Sequence, residues 1–98
     1  MTTEIGRITK DLNDPGWTLN KGSGERIDKY YHGFVQSFTK TPKVMVALSH
    51  IDVSKNENVR IDVQAINIDP NSFDVQMKTW SDTIVYGLSV EWIATDDY

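Results

Sequence analysis

The chain has 98 residues, no Cys and a formal net charge of −4. That length supports one domain that buries roughly 65% of the surface of its unfolded chain, with no disulfide available to assist it. Its basic residues are scattered, which argues against nucleic acid or an anionic membrane as partner, and no apolar run approaches the ~20 residues that cross a bilayer.

The N-terminal MTTEIGRITK is polar and lacks an apolar leader segment, so the expectation is a soluble single domain spanning residues 1–98 with no compartment specified. Ile5–Thr9 reads as a short edge strand. Between Trp17 and Lys29 the segment TLNKGSGERID is a polar, Gly-containing loop without a period: a candidate binding loop, or a plain connection. Tyr30–Phe38 reads as a strand with Tyr30, His32, Phe34, Gln36 and Phe38 in one phase, ended by Thr41-Pro42. Lys43–Val53 is apolar on both faces. Val44, Val46 and Leu48 lie on one side, and Met45, Ala47, Ile51 and Val53 on the other. Such a strand is covered on both sides; one cover is the core, and the other is either a second subunit or an arm or helix laid over it.

After a turn at Ser54–Glu57 the alternation is strongest. Val59, Ile61, Val63 and Ala65 point one way, and Asn58, Arg60, Asp62 and Gln64 the other. The phase slips beyond Ala65, where a β-bulge would return Ile66 and Ile68 to the core. Asp69-Pro70-Asn71-Ser72 has turn chemistry, and Phe73–Trp80 pairs back as a hairpin with Phe73, Val75 and Met77 inward. Trp80 falls in phase with the polar set Asp74, Gln76 and Lys78, so a flat apolar platform faces solvent. Ser81-Asp82-Thr83 then reads as a tight turn joining Phe73–Trp80 as a hairpin to the last strand, Ile84–Ala94, with Tyr86, Leu88, Val90, Trp92 and Ala94 in phase. Five or six strands with short turns predict an all-β fold, an antiparallel β-sandwich.

Catalytic chemistry has little to work with. There is no Cys nucleophile, and the two His residues, His32 and His50, are isolated from any metal-ligand spacing. No nucleophile–base–orienter set is assembled by motif, so the expectation is a non-enzymatic protein without cofactor or metal. Binding chemistry is better supplied. Arg60 offers a fixed fork of donors suited to vicinal hydroxyls, and Ser81-Asp82-Thr83 lies between two aromatics, Trp80 and Tyr86. Sugars present an apolar C–H face and a hydroxyl rim, which such a set can match. Periodicity alone leaves the bland alternatives open: Trp80 as a cap of the sandwich end, Arg60 as a cross-strand ion partner, Tyr86 as core.

The ordered set Phe34 and Phe38, Pro42-Lys43-Val44, Ile51-Asp52-Val53, Asn58-Val59-Arg60-Ile61, Phe73, Trp80-Ser81-Asp82-Thr83, Tyr86 and Val90-Glu91-Trp92-Ile93-Ala94 resembles the H-type lectin domain. This is the family of snail agglutinins and of the C-terminal domain of discoidins, and the resemblance runs from about Gly16 to the C-terminus. It implies a six-stranded antiparallel β-sandwich that assembles as a homotrimer or a dimer of trimers. It also implies that terminal N-acetylgalactosamine or galactose-type sugars bind at clefts between protomers. On this resemblance Arg60 would bond sugar hydroxyls, Trp80 would form the apolar wall, Ser81 would bond a hydroxyl or acetamido group, and Tyr86 would close the site. The chain departs from some relatives, which carry a His at the Ser81 position and an acidic loop residue on the axial hydroxyl. Ser23, Glu25 and Asp28 are the stand-ins for that acid, with Ser23 preferred because it lies between two glycines. The alternative is an oligomerisation or adhesin module of the same fold that binds no sugar.

Overall fold

The computed structural model describes residues 2–98. Its six strands are β1 (Thr3–Asp11), β2 (Arg26–Gly33), β3 (Lys43–Val53), β4 (Ile61–Ile66), β5 (Ser72–Thr79) and β6 (Val85–Thr95). They form two three-stranded antiparallel sheets, ordered β1-β6-β3 and β2-β5-β4. The expected six-stranded antiparallel sandwich is therefore the observed one, and no described residue is helical.

Alternation builds its core. Phe73, Val75, Met77 and Thr79 of β5 face Leu88, Val90, Trp92 and Ala94 of β6, and all but Trp92 (5% exposed) are fully buried. Each large apolar side chain so buried contributes about 1.5–3 kcal/mol. At one end of the sandwich His32, Phe34, Phe38, Phe73 and Trp92 pack as an aromatic cluster, His32 lying 4.6 Å from the Trp92 ring. Glu4 closes that edge between the sheets: one carboxylate oxygen is 2.8 Å from His32 Nε2, and the other accepts the Val35 amide.

Gly6 sits directly opposite Trp92 in the β1–β6 register. A Cβ there would come within 2.6 Å of the indole, closer than any relaxed contact. Gly6→Ala is accordingly expected to lower stability by about 1–3 kcal/mol through overpacking, read as a fall in melting temperature; an unchanged melt would mean that Trp92 turns aside freely.

Several sequence expectations need correction. β2 begins at Arg26 and stops at Gly33, so the segment expected as a strand over Tyr30–Phe38 is strand for only its first part. Phe34 and Phe38 reach the core from an irregular segment fastened to the 70–71 turn, their amides donating to the Asn71 and Pro70 carbonyls. The bulge expected near Ala65 is absent. The β4–β5 register runs unbroken from Ile61↔Thr79 to Ile66↔Asp74. The phase change comes after the strand, where Asn67 takes a left-handed conformation (φ 53°) and Ile68 turns inward. A register shift does occur in β3, between Leu48 and His50, and it carries Ile51 to the position opposite Leu88.

The largest correction concerns Phe73–Ala94. β5 and β6 do not pair; they lie in opposite sheets. Residues 80–84 are a corner that carries the chain across the sandwich, and Trp80 stands at the start of that crossing.

Candidate functional site

The corner is held by buried hydroxyls. Thr79 Oγ1 donates to the Arg60 carbonyl at 2.5 Å and Thr83 Oγ1 to the Asn58 carbonyl at 2.6 Å. Both threonines are 0–1% exposed, so these bonds form away from water and fix the segment that carries Arg60. The Arg60 side chain then reaches Asp82 of the corner, Nη1 to Oδ1 at 3.1 Å, in an exposed ion pair. Between Trp80 and Asp82, Ser81 holds a left-handed backbone conformation (φ 61°), which costs a non-glycine residue about 1–3 kcal/mol and persists only where neighbours determine it.

Those neighbours come from the 12–25 segment. Its middle is anchored rather than loose: Trp17 and Leu19 are buried, Trp17 Nε1 donates to the Val85 carbonyl and the Val85 amide to the Leu19 carbonyl. The Gly24 amide donates to the Ser81 carbonyl at 2.9 Å, which sets Ser23 and Glu25 beside the corner.

Trp80 is 39% exposed, as its phase predicted. With Glu25, Asp62 and Lys78 it lines an open hollow on the outer face of β2-β5-β4. Lys78 Nζ lies 5.8 Å from the Trp80 ring centroid, within the range of a cation–π contact. The hollow thus combines a ring face with two carboxylates and an ammonium, groups that accept from and donate to hydroxyls.

Of the sequence-predicted residues, Arg60, Trp80 and Ser81 come together on or beside the corner, and Ser23 is exposed on the loop bonded to it. Tyr86 lies at the start of β6, half-buried, where the pairing with β3 skips from Val85 to Gly87. Among the described residues no side-chain hydrogen bond joins Tyr86 to the others. Sequence reasoning overlooked Arg26, 9% exposed beneath both loop and corner, because a charged residue in a polar stretch reads as solvated. Asp62 was legible: it shares the outward phase of Arg60. Among the described residues no group of His, Cys, Asp or Glu converges as metal ligands would.

An aromatic ring face set among two carboxylates and an ammonium has the chemistry of a polyol-binding surface. The H-type lectin domain model matches residues 32–95. The chain belongs to the H-type lectin domain family, whose fold and chemistry point to non-enzymatic carbohydrate binding. It is 38% identical over 89 residues to the ATP synthase subunits region ORF 7 protein of Fuscovulum blasticum, an alignment covering 89% of this chain and 75% of that one. It is also 38% identical over 78 residues to a discoidin-1 polypeptide of Dictyostelium discoideum, covering 79% of this chain and 31% of the relative. The solved structure of recombinant discoidin II superposes with a TM-score of 0.83 at 26% identity, over 95% of this chain and 36% of that one. The chain therefore spans about a third of the discoidins it matches. No helix among the described residues is long and apolar enough to cross a membrane.

Proposed function

We propose that the chain is a lectin module that takes terminal N-acetylgalactosamine or galactose-type sugars at clefts between the protomers of a homotrimer, or of two stacked trimers. The observation that carries this reading is the fixed corner: Trp80 lines an outward hollow with Glu25, Asp62 and Lys78, and Arg60 reaches Asp82 of the same corner, on a backbone held from two sides. In it Trp80 packs against the apolar face of the sugar, Arg60 and Ser81 bond its hydroxyls, and Tyr86 closes the cleft. Ser23 or its neighbour Glu25 accepts from the hydroxyl rim, Glu25 being the one that lines the hollow with Trp80.

Assembly follows from the outer face of β1-β6-β3. Ile5 is 72% exposed and Met45 63%, and Ile93 lies beside Met45 in the strand register. Covering that face offers a gain that a monomer forgoes. It also answers the need for a weak site to become useful. A millimolar constant corresponds to only about −4 kcal/mol, and several sites on one particle raise avidity by roughly 10²–10⁴ on a multivalent surface. The same apolar face favours the second reading, an oligomerisation or adhesin module without sugar binding. A glycan array probed with the intact oligomer separates the two: signal on glycans ending in GalNAc or Gal is expected, and silence on every glycan at high protein density would sink the lectin reading.

A further inference from the structure

Among the described residues Arg26 makes five hydrogen bonds, and every acceptor is a backbone carbonyl. Nε donates to Gly24 at 2.9 Å; Nη1 to Leu19, Lys21 and Thr83 at 3.3, 3.2 and 2.8 Å; and Nη2 to Ser81 at 3.0 Å. Leu19, Lys21 and Gly24 belong to the loop that carries Ser23 and Glu25. Ser81 and Thr83 belong to the corner that carries Trp80 and Asp82.

We infer that Arg26 is the positioning residue of the sugar site, its guanidinium holding the loop and the corner in one fixed geometry before any ligand arrives. This rests on the sugar-binding reading of that site. A buried charge is costly unless its partners replace water, and among the described residues Arg26 forms no ion pair. The negative ends of the carbonyl dipoles neutralise it instead, and they do so only while both segments stay in place. The planar fork suits this task because its donors point in set directions; a lysine ammonium is a compact point donor and cannot span the same set.

A merely stabilising anchor could sit anywhere in the fold. This one bonds to a left-handed backbone position in each of the two segments. Gly24 (φ 78°) and Ser81 (φ 61°) are both left-handed, and the amide of one donates to the carbonyl of the other. Each is also bonded by Arg26. For a shallow site, ordering two loops on binding would consume much of the small free energy available, so a site fixed in advance binds more tightly with no added contact.

The test compares the intact protein with Arg26→Lys. The expected result is a loss of glycan affinity of about tenfold or more, a less favourable binding entropy, and faster amide exchange confined to residues 19–25 and 80–84. Unchanged affinity at equal folded fraction, or exchange that quickens uniformly through the strands, would overturn the proposal. Should Arg26→Lys fail to fold, the wild type decides. Its Arg26 Nε–H is expected to exchange slowly, and loop order to be the same with and without glycan; a fast-exchanging Nε–H or a loop that orders only on binding overturns it. If the wild type binds no glycan at all, the sugar reading fails separately, and the local exchange pattern in Arg26→Lys still decides whether the clamp exists.

Discussion

Arg60→Ala is expected to abolish detectable glycan binding while leaving the melting temperature nearly unchanged. Two environments of one residue produce the split. The part of Arg60 that holds the fold is its backbone carbonyl, which accepts the Thr79 hydroxyl and survives the substitution. Among the described residues the side chain hydrogen-bonds only Asp82, and the two side chains are 31% and 62% exposed. A pair of that kind contributes about 0–1 kcal/mol. A hydrogen bond from a charged donor to a sugar hydroxyl contributes about 1.5–3 kcal/mol. Against a total near −4 kcal/mol for a millimolar site, losing one or two such bonds leaves nothing measurable. Calorimetric titration with GalNAc and galactose, run beside a thermal melt, checks both halves. A collapse of the melting temperature would make Arg60 structural, and retained binding would move the sugar away from the corner.

Met45→Glu should convert the proposed trimer to monomers. Met45 lies on the outer face of β3 beside Ile93 of β6, with Ile5 on the far strand of the same sheet. Next along the face, Arg7 Nε contacts Glu91 at 2.6 Å and Ser49 donates to the same carboxylate oxygen. Those hydrogen bonds, with Arg7 the larger cause, hold Glu91 below the usual carboxylate range. The carboxylate thus stays charged and paired with Arg7 at neutral pH, and a second one at position 45 would bring a further negative charge into the apolar part of the proposed interface. Burying an unpaired charge costs several kcal/mol, more than one apolar contact returns. Light scattering is expected to give a trimer or its multiple for the wild type and a monomer for the variant, with glycan-surface avidity falling by roughly 10²–10⁴. A wild-type monomer, or a variant that still assembles, contradicts the inter-protomer site.

Much of the sandwich was legible because a strand's period records which side chains face inward. Phe73, Val75 and Met77 were read as core from spacing alone, and Lys43–Val53 was bounded correctly by its apolar run. Period does not record which strand pairs with which. Ser81-Asp82-Thr83 has the composition of a hairpin turn and of a sheet-to-sheet corner alike, so the β5–β6 crossing was hidden. β2 was misplaced for a related reason: Arg26 and Asp28 occupy inward positions of its first half, where charge reads as loop. Arg26 is satisfied there by carbonyls, and Asp28 lies 3.7 Å from Lys10 of the opposite sheet. The shift after Leu48 left no trace in composition. The candidate site was legible where it rests on outward phase, as at Arg60 and Trp80, and illegible where backbone conformation builds it, as at Gly24 and Ser81.

The carbonyl-only character of the Arg26 contacts separates architecture from recognition. The anchored positions contribute their main chain, so the side chains of Lys21 and Ser81 are free variables on an unchanged frame. Ser81 can be exchanged for a larger or differently charged group, within the limits of its left-handed backbone, without redrawing the loops around it. On the proposed sugar-binding reading, the corner is therefore a template for altering which sugar is preferred: diversity goes into exposed side chains such as Lys21, Ser23 and Ser81, while buried Leu19, Thr83 and Arg26 are left alone.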